Sequence, residues 1–312
     1  MAAKPTILMT GTSGFAGGNI AAWFLHRDYR IIAPGRTRPT DNRLEFHQIS
    51  RIDRYTFWED MLKDTDVVIH LAGRAHQMRE KPDSYHLYFE TNFDGTVNLA
   101  RQAAKQGVKR FIFVSSIKAM ISDACETALT ENAPCNPLEP YGQSKLKAEI
   151  ELKKISEETG MELVILRPPL IYGPGVKGNF ESLVRLVKNF SILPLGGLTN
   201  RRSLLAVDNL ASAVETAMLS EKTPGKTYLL SDGEEISTTE LVTRIAAVFN
   251  PACRIISLPQ WLWRICSKIP LLSFKIARLE GSLPVDSSLF TTDTNWQPAT
   301  SMHQQLLGME DR

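Results

Sequence analysis

Six short apolar runs recur between Thr6 and Arg167, and the stretches between several of them have helical character; this alternation restricts the fold more than any other feature. Thr6–Thr10, Arg30–Pro34, Phe46–Ile49, Asp66–Leu71, Arg110–Ser115 and Glu162–Arg167 read as strands. Several are nearly continuous in Ile, Val, Leu and Phe, as strands covered on both faces are. Phe15–Arg27 carries Ile20, Trp23 and Phe24 at helical spacing, and further helices are predicted around Tyr85–Gln106 and from Tyr141 onward. Strands alternating with helices predict an α/β fold built on a doubly wound parallel sheet with right-handed crossovers.

After Pro168-Pro169 the texture changes. Gly173, Pro174, Gly175, Gly178, Gly196 and Gly197 punctuate short segments, and the alternation is lost. The reading is a dinucleotide-binding domain over 1–168 and a smaller substrate-binding α/β domain over 169–312, with 207–219 and 227–231 returning to the first. With 312 residues and 43% hydrophobic content, the chain can bury a large core.

Charge and cysteine usage exclude several functions. A net charge of +2 gives no footprint for nucleic acid. Cys125, Cys135, Cys253 and Cys266 have no metal-ligand spacing, nor do His76, His86 and His303, so no metal is expected. Scattered thiols and a strand starting close to Met1, with no signal peptide before it, predict a cytoplasmic protein. Ile255–Leu283 mixes Trp261, Trp263 and Phe274 with Arg264, Lys268, Pro270 and Lys275, too interrupted for the ~20 apolar residues of a spanning helix. It reads as a helical pair over the core or a substrate site; contact with a membrane surface is the alternative.

The first strand runs into Gly11-Thr-Ser-Gly14-Phe-Ala-Gly17, which opens a helix. In such a loop the first glycine permits the tight turn, the second lets backbone approach a pyrophosphate, and the third lets helix pack on strand. The phosphates then meet free N–H groups and the positive end of the helix dipole. After the second strand an NAD-binding chain usually carries an acid for the ribose 2′-hydroxyl. Here Pro34-Gly35-Arg36-Thr37-Arg38 has none before Asp41. Arg36 and Arg38 suit a 2′-phosphate, so NADPH is preferred and NAD is the alternative; two solvated loop arginines are the plainer reading.

Tyr141 and Lys145 are four residues apart, on one face of a helix. A free phenol titrates near 10, and a neighbouring ammonium would bring it toward neutrality; three units correspond to about 4 kcal/mol. Such a pair can pass a proton while a nicotinamide passes hydride. Ser116, at the carboxyl end of a strand, is positioned to hold the substrate oxygen; Ser115 reads as a turn residue.

As a set, the glycine loop, His70-Leu-Ala-Gly73, Asn92-Phe-Asp-Gly-Thr96-Val-Asn98, Val114-Ser-Ser116, Tyr141-x-x-x-Lys145 and Leu166-Arg-Pro168-Pro-Leu-Ile-Tyr-Gly-Pro-Gly175 resemble the extended short-chain dehydrogenase/reductases, in their UDP-glucose 4-epimerase-like, nucleotide-sugar branch. Ser115-Ser-Ile-Lys118, Lys177-Gly-Asn-Phe180 and Asn200-Arg-Arg-Ser203 are similar to bacterial 4-reductases of UDP-2-acetamido-2,6-dideoxy-4-hexulose, which serve surface polysaccharide. The resemblance implies catalysis by Ser116, Tyr141 and Lys145, with Lys145 also holding the nicotinamide ribose. It implies a cofactor lying against Gly11, Ser13, Gly14, Phe15, Gly17, Arg36, Leu71, Ala72, Tyr141, Lys145 and Pro168. Substrate contacts fall to Ser116, Asn179, Arg202 and Arg278.

Asp208 reads as the N-cap of the helix it precedes, and His70 as a packing and loop-positioning residue. Sugar dehydratases of the family carry Thr-Asp-Glu where this chain has Ser116-Ile117-Lys118, so dehydration is not expected; Lys118 fits either a phosphate contact or the surface. A homodimer formed through the Tyr141 helix is implied, with Leu146, Ile150 and Ile155 serving either that interface or the core. The alternatives to the reductase are an NAD-dependent UDP-sugar 4-epimerase, a reductase of aromatic or acyl-thioester substrates, and a non-catalytic dinucleotide sensor.

Overall fold

The computed structural model describes residues 4–39, 41–74, 85–122, 124–258 and 280–310. Seven parallel strands form the central sheet: β1 (Ile7–Thr10), β2 (Ile31–Gly35), β3 (Glu45–Gln48), β4 (Val67–His70), β5 (Arg110–Val114), β6 (Glu162–Arg167) and β10 (Thr227–Leu229). Their order is β3-β2-β1-β4-β5-β6-β10, so the chain reverses direction of travel across the sheet between β1 and β4. In open parallel sheets that crevice, at the carboxyl ends of the strands, is where ligands bind.

Helices cover both faces. On one, α1 (Phe15–Leu25) and α7 (Val207–Leu219) bury Ile20, Phe24, Leu210 and Val214 against Ile7, Met9 and Ile112. On the other, α2 (Glu59–Leu62), α4 (Thr96–Lys105), which continues the helical run begun by α3 (Tyr85–Tyr88), and α5 (Pro140–Thr159) bury Leu62, Leu99 and Leu152 against Leu8, Val68 and Phe111. Alternate residues of one strand thus serve opposite cores, as the two-residue period requires. The buried guanidinium of Arg110, at the start of β5, donates to the carbonyls of Ala217 (2.8 Å), Met218 (2.6 Å) and Ser220 (2.8 Å), satisfying the open end of α7.

A further core gathers β7 (Leu170–Tyr172), α6 (Asn179–Asn189), β8 (Ile192–Gly196), β9 (Arg202–Ala206), β11 (Glu235–Ile236), α8 (Thr238–Phe249) and β12 (Arg254–Ser257). Strands β11-β9-β7 form one small sheet and β12-β8 another. The helix α9 (Ser288–Thr294) returns to the large sheet, placing Phe290 and Trp296 in the same core as α1 and α7; sequence periodicity gave no sign of this. The last helix, α10 (Met302–Glu310), joins the second core through Leu306.

The N-cap reading of Asp208 is corrected. β9 runs straight into α7, whose N-cap is Ala206, so Asp208 lies inside the first turn, where its charge meets the positive end of the helix. The Ala206 N–H is taken instead by Asp232 at 2.9 Å. No helix among the described residues is long and apolar enough to cross a membrane. Trp261, Trp263, Phe274 and Arg278 lie outside the described residues.

Candidate active site

The glycine loop joins β1 to α1 with almost no spare volume. Gly11 has φ +81°, and a Cβ there would come within 2.8 Å of the Ala72 nitrogen. At Gly17 a Cβ would stand 2.1 Å from the Gly11 carbonyl oxygen, so helix rests on loop backbone to backbone. No side chain caps the N-terminus of α1, and its first turn holds no acid, leaving a helix end suited to phosphate. Ser13 and Gly14 are exposed along this cradle. Phe15 instead leans on the second core. The cradle therefore fits the pyrophosphate of a dinucleotide: only glycine fits, and the donors are backbone.

His70 ties the neighbouring loop to this cradle. Its Nδ1 lies 2.7 Å from Thr10 Oγ1 and its Nε2 2.9 Å from Thr96 Oγ1. Thr96 spends its proton on the Asn92 carbonyl (2.8 Å), so Nε2 must donate. Thr10 accepts from Ala72 N–H (3.1 Å) and gives its proton to Nδ1. Neutral histidine is the only form that satisfies both, and burial pushes its pKa down to about 3. The unfolded chain then binds a proton that the folded one refuses between about pH 6.5 and 3, so stability is full above that window and falls with acidification. We expect a slope of about 1.4 kcal/mol per pH unit from this group. Denaturant titrations should show His70→Gln losing that part of the slope; an unchanged profile refutes the assignment.

At the carboxyl end of β5 the chain turns through Ser115 and Ser116 into a short helical turn, Ile117–Ala119. Ser116 is extended, half-buried, and within hydrogen-bonding reach of the Tyr141 phenol. Tyr141 and Lys145 rise from the first turns of α5, which begins with Pro140 at a position where its missing N–H costs nothing. Gly142 lets that helix end settle on the Ser116 turn: a Cβ would stand 2.1 Å from the Lys118 carbonyl oxygen. The Tyr141 ring meets Tyr88 edge-on at 6.2 Å.

The structure departs from expectation in the electrostatics of the pair. Burial pushes the Tyr141 phenol above its ordinary value, opposed by the hydrogen bond from Ser116 rather than by Lys145. The Lys145 ammonium donates to the Val114 carbonyl at 3.1 Å and lies 4.6 Å from the centre of the Phe113 ring. Burial lowers its pKa to about 8, opposed by the Glu149 carboxylate. Neither effect is visible to a count of helical spacing.

Asn92, to which the motif Asn92-Phe-Asp-Gly-Thr96 assigns no role, sits at the centre of the site. The helix from Tyr85 to Lys105 widens through Phe89–Gly95 into π-helical winding, a distortion that often marks function. From there the fully buried Asn92 accepts from Arg74 N–H (2.7 Å) and donates to Ser144 (3.0 Å), between Tyr141 and Lys145. It binds the Leu71–Arg74 loop to α5.

The remaining residues are spread around the crevice. The buried Pro168 accepts from Ile117 N–H at 2.9 Å. Arg36 and Arg38 are exposed beyond β2, with the Arg38 guanidinium 5.2 Å from the Phe46 ring centre. Asp41, the nearest acid, is engaged by Arg43 at 2.7 Å. Asn179 is exposed at the start of α6, after Gly178 at φ +77°. Arg202 opens β9 and donates to the Gly281 carbonyl at 2.7 Å. Lys118 turns to the Ser122 carbonyl and lies 4.0 Å from Glu139, stapling its own loop. Arg278 lies outside the described residues. No cluster of potential metal ligands occurs among the described residues.

The model of the NAD dependent epimerase/dehydratase family matches residues 7–231. The chain belongs to that family. It is 37% identical over 305 residues to the UDP-glucose 4-epimerase of Vibrio cholerae, covering 96% of this chain and 92% of the relative. Among solved structures, the UDP-N-acetylglucosamine 4-epimerase of Bacillus cereus superposes with a TM-score of 0.79 at 18% identity, over 98% of each chain. RMD of Pseudomonas aeruginosa, solved with NADPH, gives 0.71 at 22% identity, over 99% of this chain and 98% of that one. These two share the fold. As a family member, the chain is an NAD(P)-dependent enzyme of the nucleotide-sugar epimerase/dehydratase type.

Proposed function

We propose that this protein is an NADPH-dependent 4-keto reductase of a UDP-linked, N-acetylamino deoxy-hexulose, supplying a sugar nucleotide for surface polysaccharide. The observation that carries this reading is the end of β2, where Arg36 and Arg38 stand exposed and the nearest acid is already paired. A 2′-phosphate suits that surface, and a phosphorylated cofactor serves reduction. A dinucleotide held by the α1 cradle would supply the hydride for C4. Ser116 holds the carbonyl oxygen, and Tyr141 gives it a proton as charge develops there. A phenol pushed up in pKa is protonated at neutral pH, which suits an acid. Lys145, which donates to the Val114 carbonyl, would hold the nicotinamide ribose beside the phenol.

Residues 1–168 with α7 and β10 hold the cofactor, and the rest of 169–312 holds the sugar nucleotide, with Asn179, Arg202 and Arg278 toward its diphosphate. We place the enzyme in the cytoplasm as a homodimer. The outer face of α5 suits a dimer contact: Ile150 is 50% exposed there, whereas Ile155 belongs to the core. A second reading, a UDP-sugar 4-epimerase retaining NAD, is favoured by the likeness to the Vibrio cholerae enzyme.

Oxidation of NADPH and NADH in the presence of UDP-2-acetamido-2,6-dideoxy-4-hexulose separates the two. The reductase reading expects NADPH to be used at least tenfold better, and Arg36→Ala to remove most of that preference, since each charge-assisted contact contributes about 1.5–3 kcal/mol. Tightly held NAD+ released on denaturation, with UDP-sugar epimerisation and no net NADPH use, would establish the second reading instead.

A further inference from the structure

Behind the Ser116–Tyr141–Lys145 group lies an ion pair that the proposed chemistry does not use. Glu149 is 1% exposed and Arg167 4% exposed. The Arg167 Nε donates to Glu149 at 3.1 and 3.2 Å, and its terminal nitrogen at 2.5 Å. The same carboxylate accepts from Ser115 Oγ at 2.5 Å. Three elements therefore meet at one buried carboxylate: α5, the end of β6 and the end of β5. Ser115 is flanked by Val114, whose carbonyl receives Lys145, and by Ser116, which reaches Tyr141.

Glu149 also follows Lys145 by one helical turn, on the face that carries Tyr141. A buried charge network is expensive to keep, and replacing one by apolar residues often costs nothing in stability. Its place here calls for a function.

We propose that Glu149, held by Arg167, is a positioning residue of this site: it locks α5 to Ser115 so that Ser116, Tyr141 and Lys145 stay in register, and it sets a negative charge one helical turn from the Lys145 ammonium. The groups around Lys145 leave that role to Glu149. From β4, His70 is neutral and supplies no charge to the ammonium. From β6, Arg167 is cationic and spent on Glu149. From the π-helical turn, Asn92 is uncharged. From α5 itself, Tyr141 is a protonated phenol. Glu149 is the one anion acting on the ammonium among the described groups.

The inference concerns the site on which the reductase reading rests, so its test needs no substrate. The full chain, free of cofactor, carries lysine labelled at Cε, and the Lys145 resonance is assigned by its loss in Lys145→Met. The wild-type NMR titration should have its midpoint at about 8. In Glu149→Gln, which keeps the shape and the Ser115 hydrogen bond, the midpoint should fall by about one pH unit or more.

If stranding Arg167 unfolds that variant, Glu149→Gln with Arg167→Met removes the carboxylate without leaving a buried cation, and a fall in the same direction, smaller because the cation leaves with the anion, is expected. Glu151→Gln, which removes a surface carboxylate bound to Arg101 and Lys154, should leave the midpoint in place. An unmoved Lys145 midpoint in the folded Glu149 variant overturns the proposal, as does an equal shift in Glu151→Gln. Where turnover is measurable, its alkaline limb should move to lower pH in step with the midpoint. Turnover of the sugar with Lys145 unmoved sinks this inference alone; Lys145 shifted with no sugar turned over sinks the reductase reading alone.

Discussion

Tyr141→Phe should cost about 10²- to 10⁴-fold in kcat, the range that a positioned proton donor contributes, while the affinity for NADPH changes less than about threefold. The variant removes one oxygen and keeps the ring that meets Tyr88 edge-on. The fold has little reason to notice, because Ser116 loses a partner at a half-buried position rather than in a sealed core. Rate and binding should therefore separate. Stopped-flow cofactor binding and steady-state turnover on one preparation make the comparison. Turnover that survives intact would remove the phenol from the mechanism, and with it the interpretation of Ser116. A parallel loss of cofactor affinity would mean that Tyr141 acts by holding the nicotinamide ribose. A non-catalytic sensor, by contrast, should behave the same with Phe at this position.

The large sheet was legible because its strands are buried on both faces and its glycine loop follows a strand. Glu162–Arg167 was read to the residue, and other strands within one or two residues of their ends. Three kinds of feature escaped. The return of α9 to the first core depends on where a distant chain end packs, and no local period records it. The start of α7 was misjudged because an aspartate beside a helix looks like a cap, whereas here a carboxylate from Asp232 does that work from elsewhere in the chain.

The third kind is charge. Spacing placed Tyr141 and Lys145 on one face, but the field at each is set by burial and by particular partners: Ser116, remote in sequence from Tyr141, and Glu149, one helical turn from Lys145 and buried with it. Asn92 and Glu149 each lie in readable helices, yet only the fold reveals that they converge on Lys145 and its neighbours. A hydrogen-bonded site is therefore less legible than the cradle beside it. Glycine constraints are local to the chain, and proton wiring is not.

That locality makes the cradle the place for the sharpest structural test. Gly17→Ala should abolish measurable dinucleotide binding, weakening it by at least 100-fold, and lower stability by about 1–3 kcal/mol. An added methyl would stand 2.1 Å from the Gly11 carbonyl oxygen and 2.6 Å from its carbon, and neither backbone atom can rotate away as a flexible side chain does. Either α1 lifts from β1 or the loop deforms, and both move the N–H groups that the pyrophosphate needs. Gly18→Ala, one residue later, is the informative companion. Its methyl would meet the Thr12 carbonyl oxygen at 3.2 Å, a crowding that a few tenths of an ångström relieves. Alanine in place of a helical glycine also favours the helix by roughly 0.5–1 kcal/mol. Calorimetric titration with NADPH should thus show binding kept in Gly18→Ala and lost in Gly17→Ala, with both proteins folded by circular dichroism. Equal affinity in the two would show that the dinucleotide does not rest on this helix end.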